Sequence, residues 1–156
     1  MTHTPMDLSA GRLDLSIWTD PVIDQLGHDP RSTYAETFWL GIIGPSALWF
    51  LRLAVGRLDG TRDQDVVVPL DVADTARCIG MSWNGGKHSP FARMIDRAIR
   101  FGTVRPLDPH TLAVRRRLPP LTARQTERLP ERLQRHHKAV QLTAVRSTPA
   151  SIRETA

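Results

Sequence analysis

A chain of 156 residues, 40% of them hydrophobic, is long enough for one domain with a real core and too short for two comfortable ones. Its formal net charge of +5 conceals an asymmetry: residues 1–75 carry 5 Arg or Lys against 11 Asp or Glu, whereas residues 76–156 carry 16 against 5. One cysteine, Cys78, excludes an intrachain disulfide; in its apolar helical context it reads as an inert core thiol in a reducing, cytoplasmic setting.

Residues 1–31 read as a largely irregular N-terminal arm without the basic and apolar regions of a signal peptide. Within it, Asp20-Pro21 is expected to cap a short helix whose Val22, Ile23 and Leu26 dock on the core before Gly27 ends it. Residues 32–142 are expected to form the main domain. Thr33 and Glu36 have capping-box spacing and open a helix that carries Tyr34, Phe38 and Ile42. Gly44-Pro45 stops it and starts a new helix through Leu58, apolar around nearly its whole circumference and therefore the central core helix. The uncharged run Thr37–Leu51 has only 15 residues, short of the roughly 20 needed to cross a bilayer, and no membrane association is expected.

After the polar loop 59–65, Val66-Val67-Val68 reads as a short β-branched strand. Asp71 caps a helix through Ile79, with Val72, Ala73, Ala76 and Ile79 inward and Gly80 at its end. Ser89 caps the next helix and Pro90 begins it; Phe91, Met94, Ile95, Ala98 and Ile99 follow the i, i+3, i+4, i+7, i+8 pattern of one buried face, and Gly102 closes it. Residues 103–107 and 111–115 read as two strands around an Asp108-Pro109-His110 turn, with Pro106 requiring an edge position. Thr122 and Gln125 again have capping-box spacing. Pro130 either kinks the helix that follows or restarts it through Leu142, and residues 143–156 read as a disordered tail.

The order of core helix, strand, helix, turn, helix and hairpin, with Asp71–Ser82, Ser89-Pro90-Phe91 and Arg97–Val104, resembles the winged helix-turn-helix of bacterial DNA-binding regulators. Ala76, Gly80 and Gly102 match the helix-packing alanine, the turn glycine and the glycine that leads into the wing. The resemblance covers about residues 45–118 and departs from the family in the long Gly85-Gly86-Lys87 connection. It implies an α+β, mostly helical winged helix-turn-helix with extra N-terminal and C-terminal helices. Residues 44–49 and 115–121 are also similar to uncharacterised small proteins of high-GC bacteria, which implies no function.

The charges give a reason of their own. Arg93, Arg97 and Arg100 stand at i, i+4 and i+7, one basic stripe opposite the apolar face. An α-helix fits the major groove of B-DNA, where arginine binds guanine or phosphate. Lys87, His88, Ser89 and the free N–H groups at the helix start suit a phosphate oxygen. Strand alternation turns Leu112 and Val114 inward, which leaves Arg115 and Arg117 facing solvent and Arg116 snorkelling at the margin; with Arg105 they would hold the wing on phosphates. The bland alternatives are a solvated helix in which Asp96 pairs with Arg93 or Arg100, and a charged edge strand that resists aggregation.

Other chemistry is thin. Gly80–His88 departs from a phosphate-binding loop in both spacing and its final hydroxyl. The histidines are scattered, and one cysteine builds no structural zinc site. The expectation is a non-enzymatic, cofactor-free and metal-free binder of double-stranded DNA, a regulator. The rival is a winged-helix adaptor that binds a protein partner without reading DNA. The basic C-terminal helix with Leu121, Leu129 and Leu133 would serve as a homodimer contact or pack on its own domain. The acidic half would either shield the basic face or orient docking.

Overall fold

The computed structural model describes residues 5–147. Strand β1 (Arg12–Trp18) alternates buried Leu13, Leu15 and Ile17 with more polar neighbours, the period-2 pattern of a strand with one covered face. This strand lies in the arm that the sequence was read to leave irregular. Helix α1 (Pro21–Leu26) has the expected cap, with Asp20 accepting the Ile23 N–H. Val22 and Leu26 nonetheless stay exposed at 61% and 62%, so this helix does not dock through them. Gly27 ends it for want of room, because a Cβ there would lie 2.5 Å from the Ile23 carbonyl oxygen and 2.7 Å from that of Leu118.

The next segment starts as a π-helical turn (Ala35–Trp39) and continues into helix α2 (Leu40–Ile43). Ser32, not Thr33, supplies the capping oxygen, to the Ala35 N–H; the Thr33 carbonyl instead accepts the Thr37 hydroxyl. Gly44, at φ +90°, turns the chain through a conformation that an L side chain rarely adopts. Helix α3 (Pro45–Leu58) buries Ala47, Leu48, Phe50, Leu51, Ala54, Val55 and Leu58. Trp49, expected in the core, is 56% exposed.

Strand β2 (Val68–Asp71) begins two residues later than the β-branched run suggested, and Val66 and Val67 are exposed. Asp71 caps helix α4 (Val72–Cys78) by accepting the Asp74 N–H at 2.7 Å. Val72 and Ala76 face inward, whereas Ala73 and Cys78 are exposed; Cys78 is therefore not a core thiol. Helix α5 (Pro90–Arg100) and the hairpin of β3 (Val104–Asp108) with β4 (Thr111–Arg115) fall where the sequence puts them.

The fold is α+β. One mixed sheet has the order β2-β1-β4-β3, with β1 antiparallel to β2 and parallel to β4. Its two edges, β2 and β3, carry Pro69 and Pro106, residues tolerated at an edge because they lack the N–H that an inner ladder needs. Leu13, Leu15, Ile17, Val104, Leu112 and Val114 are all buried. Helix α3 lies against β1, β4 and α5, and α5 lies against β3. Each large apolar side chain enclosed there contributes roughly 1.5–3 kcal/mol.

The chain divides after Pro120 into two compact units, the second of which includes the end of the expected 32–142 domain. In it, the Thr122–Gln125 capping box forms in both directions at the start of helix α6 (Ala123–Thr126). Pro130 restarts the helix rather than kinking it, and α7 (Glu131–Arg146) extends beyond the expected end at Leu142. Residues 148–156 of the expected tail lie outside the described residues. Among the described residues no helix is long and apolar enough to cross a membrane.

Candidate nucleic-acid interface

The geometry of α5 begins at its cap. Ser89 Oγ accepts the Ala92 N–H at 3.3 Å, and Pro90 occupies the first turn without wasting a donor. Ser89 is itself buried, so its hydroxyl serves the helix and is not the phosphate ligand expected of it. Beyond the cap, Phe91, Ala92, Met94, Ile95 and Ala98 are buried. Phe91 meets Phe50 of α3 edge to face at 6.0 Å and Trp83 at 6.1 Å. These contacts fix the rotation of α5 about its axis.

That rotation leaves Arg93, Arg97 and Arg100 exposed along the other side. Over seven residues the stripe runs about 10 Å along the helix. Among the described residues no carboxylate forms an ion pair with any of the three, Asp96 included. The Arg97 guanidinium lies beside the α2–α3 corner, where a Cβ on Gly44 would sit 3.6 Å from Nη1. Arg97 and Arg100 also fall in the last turn of the helix, where positive charge complements the helix dipole.

The connection from α4 to α5 is a true loop. Gly85, at φ +83°, and an Asn84 side chain accepting the Gly86 N–H shape it, while Trp83 anchors it on Phe91. Lys87 and His88 are exposed. They line a cleft of about 350 Å³ together with Trp83, Arg93, Asp7 and Asp96. Its charge is mixed. The Ser9 hydroxyl and N–H donate to Asp7 and hold its carboxyl below the usual range, with a small further contribution from His110.

No protein-family model, curated protein or solved structure matches this chain.

The arginines of the hairpin behave differently from those of α5. Arg115, expected in solvent, is half-buried: Nε donates to the Gly102 carbonyl at 2.8 Å, Nη1 pairs with Asp20 at 2.8 Å, and Cζ sits 3.6 Å above the Trp18 ring. Alternation did put it on the outward face, but parallel β1 brings Trp18 into register with it. Arg105 is exposed, with Cζ 4.6 Å from the same ring. Arg116 donates from Nη2 to the Thr61 carbonyl, and Arg117 from Nη1 to that of Gly27 at 3.3 Å. Both lie past the end of β4, off the hairpin that was expected to carry them.

The ten expected positions therefore separate into three groups. Lys87, His88, Arg93, Arg97, Arg100 and Arg105 present charge to solvent. Ser89 and Arg115 are built into the fold. Arg116 and Arg117 meet Arg62, which sequence reasoning missed, around another cavity. Among the described residues no group of three His, Cys, Asp or Glu side chains is placed to hold a metal ion.

Proposed function

We propose that this protein binds double-stranded DNA through the exposed face of α5, in the manner of the winged helix-turn-helix regulators that its element order resembles. The observation that carries the proposal is the set of three guanidinium groups at positions 93, 97 and 100, exposed together and, among the described residues, unpaired by carboxylates, on a helix whose opposite side is locked into the core. A helix of this kind enters the major groove with arginine toward base edges or phosphates. Lys87 and His88 flank its N-terminal end, where residual N–H dipoles favour phosphate. Arg105 on the edge strand β3 adds a contact from the hairpin.

The hairpin of this proposal is no free wing, because β4 is paired on its other side with β1. Its role is to hold Arg105 at a fixed height relative to α5. Readout by base or by shape and the choice of target belong to α5 alone in this reading.

The test is duplex binding as a function of salt. With three phosphates neutralised by α5, log K falls against log salt with a slope of about −2.7 from those residues. Alanine at 93, 97 and 100 together is expected to remove that part of the slope. Undetectable duplex binding at low salt sinks the proposal and favours the alternative class, an adaptor that docks on a protein. The exposed Trp49 on α3 is the observation on that side, since tryptophan is enriched among residues that anchor protein interfaces.

A further inference from the structure

Three arginines from two distant stretches of sequence line one cavity of about 310 Å³: Arg62 from the loop after α3, and Arg116 and Arg117 from the segment after β4. The other lining residues are Ile17, Thr19 and Asp24. The arrangement is built into the fold. Arg116 donates to the carbonyl of Thr61 and so tethers the loop at the residue before Arg62. Arg117 donates to the carbonyl of Gly27, whose lack of a Cβ permits the approach, because one there would lie 2.9 Å from the Arg117 Cβ. Each bond uses one of the five N–H donors of its guanidinium.

Three guanidinium groups thus share the cavity with one carboxylate, Asp24, and two other carboxylates nearby are paired with Arg31. Asp24 accepts the Asp20 N–H at 3.2 Å and so closes the first turn of α1. On the far side of Arg116 and Arg117, Asp29 and Asp59 are held by Arg31 at 2.9 and 2.6 Å. Arg31 accounts for most of the lowering of the Asp29 carboxyl, with a small contribution from Arg117. None of Arg62, Arg116 and Arg117 forms an ion pair among the described residues.

Like charges gathered in one concavity repel one another, and an anion relieves that cost. Guanidinium forks match the oxygens of phosphate in both spacing and charge. The volume lies at the small end of the range for ligand sites, sufficient for a phosphoryl group with a short extension. We propose that the Arg62–Arg116–Arg117 cavity is a phosphate-binding site, with the Thr19 hydroxyl as a further donor. It is separate from the α5 stripe and does not depend on that reading. The phosphate belongs either to a free phosphorylated small molecule or to a nucleic-acid backbone.

The probe is inorganic pyrophosphate, titrated calorimetrically into the full chain at low ionic strength. Saturable one-to-one binding is expected, weakened tenfold or more by Arg62→Ala, abolished by Arg62→Glu and unchanged by Arg77→Ala on the exposed side of α4. Arg62 is exposed and makes no described hydrogen bond or ion pair, so its replacement leaves the core intact, which circular dichroism checks. Absence of saturable binding, equal binding by the Arg62 variants, or equal loss in Arg77→Ala overturns the proposal. Because the titration contains no DNA, its failure leaves the α5 proposal standing, and the reverse holds. Displacement of pyrophosphate by a duplex assigns the phosphate to a nucleic-acid backbone; duplex binding without displacement assigns it to a free small molecule.

Discussion

Arg115 lies over the ring of Trp18, its Cζ 3.6 Å from the centroid, while the same guanidinium reaches Asp20 and the carbonyl of Gly102. One side chain thus joins β1, the start of α1 and the exit from α5. The Asp20 carboxyl is held below its ordinary range chiefly by the hydrogen bond from Arg115, with the Ile23 N–H second. Arg115→Ala is expected to lower Tm by roughly 4 °C or more. Arg115→Lys should recover little of this, since an ammonium neither stacks flat nor forks between two acceptors. The salt dependence of duplex binding should be unchanged in both variants. A thermally normal Arg115→Ala protein with a shallower salt slope would return Arg115 to the DNA-binding set.

Ser89→Ala removes the cap of α5 and should cost about 1 kcal/mol. Chemical denaturation measures it directly. Since the hydroxyl is buried and used by Ala92, duplex affinity at a salt concentration where the variant is fully folded should match that of the parent.

Asp96 stands on α5 between the exposed arginines without pairing with them. It therefore repels phosphate without neutralising its neighbours. Asp96→Asn is expected to tighten duplex binding severalfold, in line with about 0.5–1 kcal/mol for an exposed charge, and the gain should shrink as salt rises. Weaker binding in this variant would count against the α5 face.

His137 on α7 is buried, and burial pulls its imidazole below the ordinary value near 6.5. The unfolded chain therefore takes up a proton at this position before the folded chain does. The stability that follows is fully present above pH 6.5 and is lost as pH falls through that value toward the folded pKa. Denaturation at pH 7.5 and 5.5 should show a loss on acidification that is smaller in His137→Gln.

Much of the fold is written locally. The Phe91-to-Ile99 periodicity, the caps at Asp20, Asp71, Ser89 and Thr122, and the edge position demanded by Pro106 all appear where short-range chemistry places them. Strand β1 was also legible in principle, because Leu13, Leu15 and Ile17 alternate with Asp14 and Ser16. Its partners, however, lie at 68–71 and 111–115, and no local signal names them. The same distance explains the arginines. Position along a strand gives the face on which Arg115 emerges but not the tryptophan that β1 brings over it. Arg62 in a polar loop gives no sign of meeting Arg116 and Arg117 until the ends of α3 and β4 are set side by side.

Strand β1, one of the two inner strands of the sheet, is the first to be made and among the last to be paired on both sides. Its parallel partner follows almost one hundred residues later, which at about 5–20 residues per second of synthesis leaves the nascent Leu13–Ile17 segment waiting roughly 5–20 s. Strand β2 can satisfy one of its ladders earlier, but until β4 is made the other ladder and an apolar stripe are open to other chains. Ribosome-bound chains halted before residue 111 should accordingly recruit chaperones at this stretch, and chains halted beyond residue 150 should not.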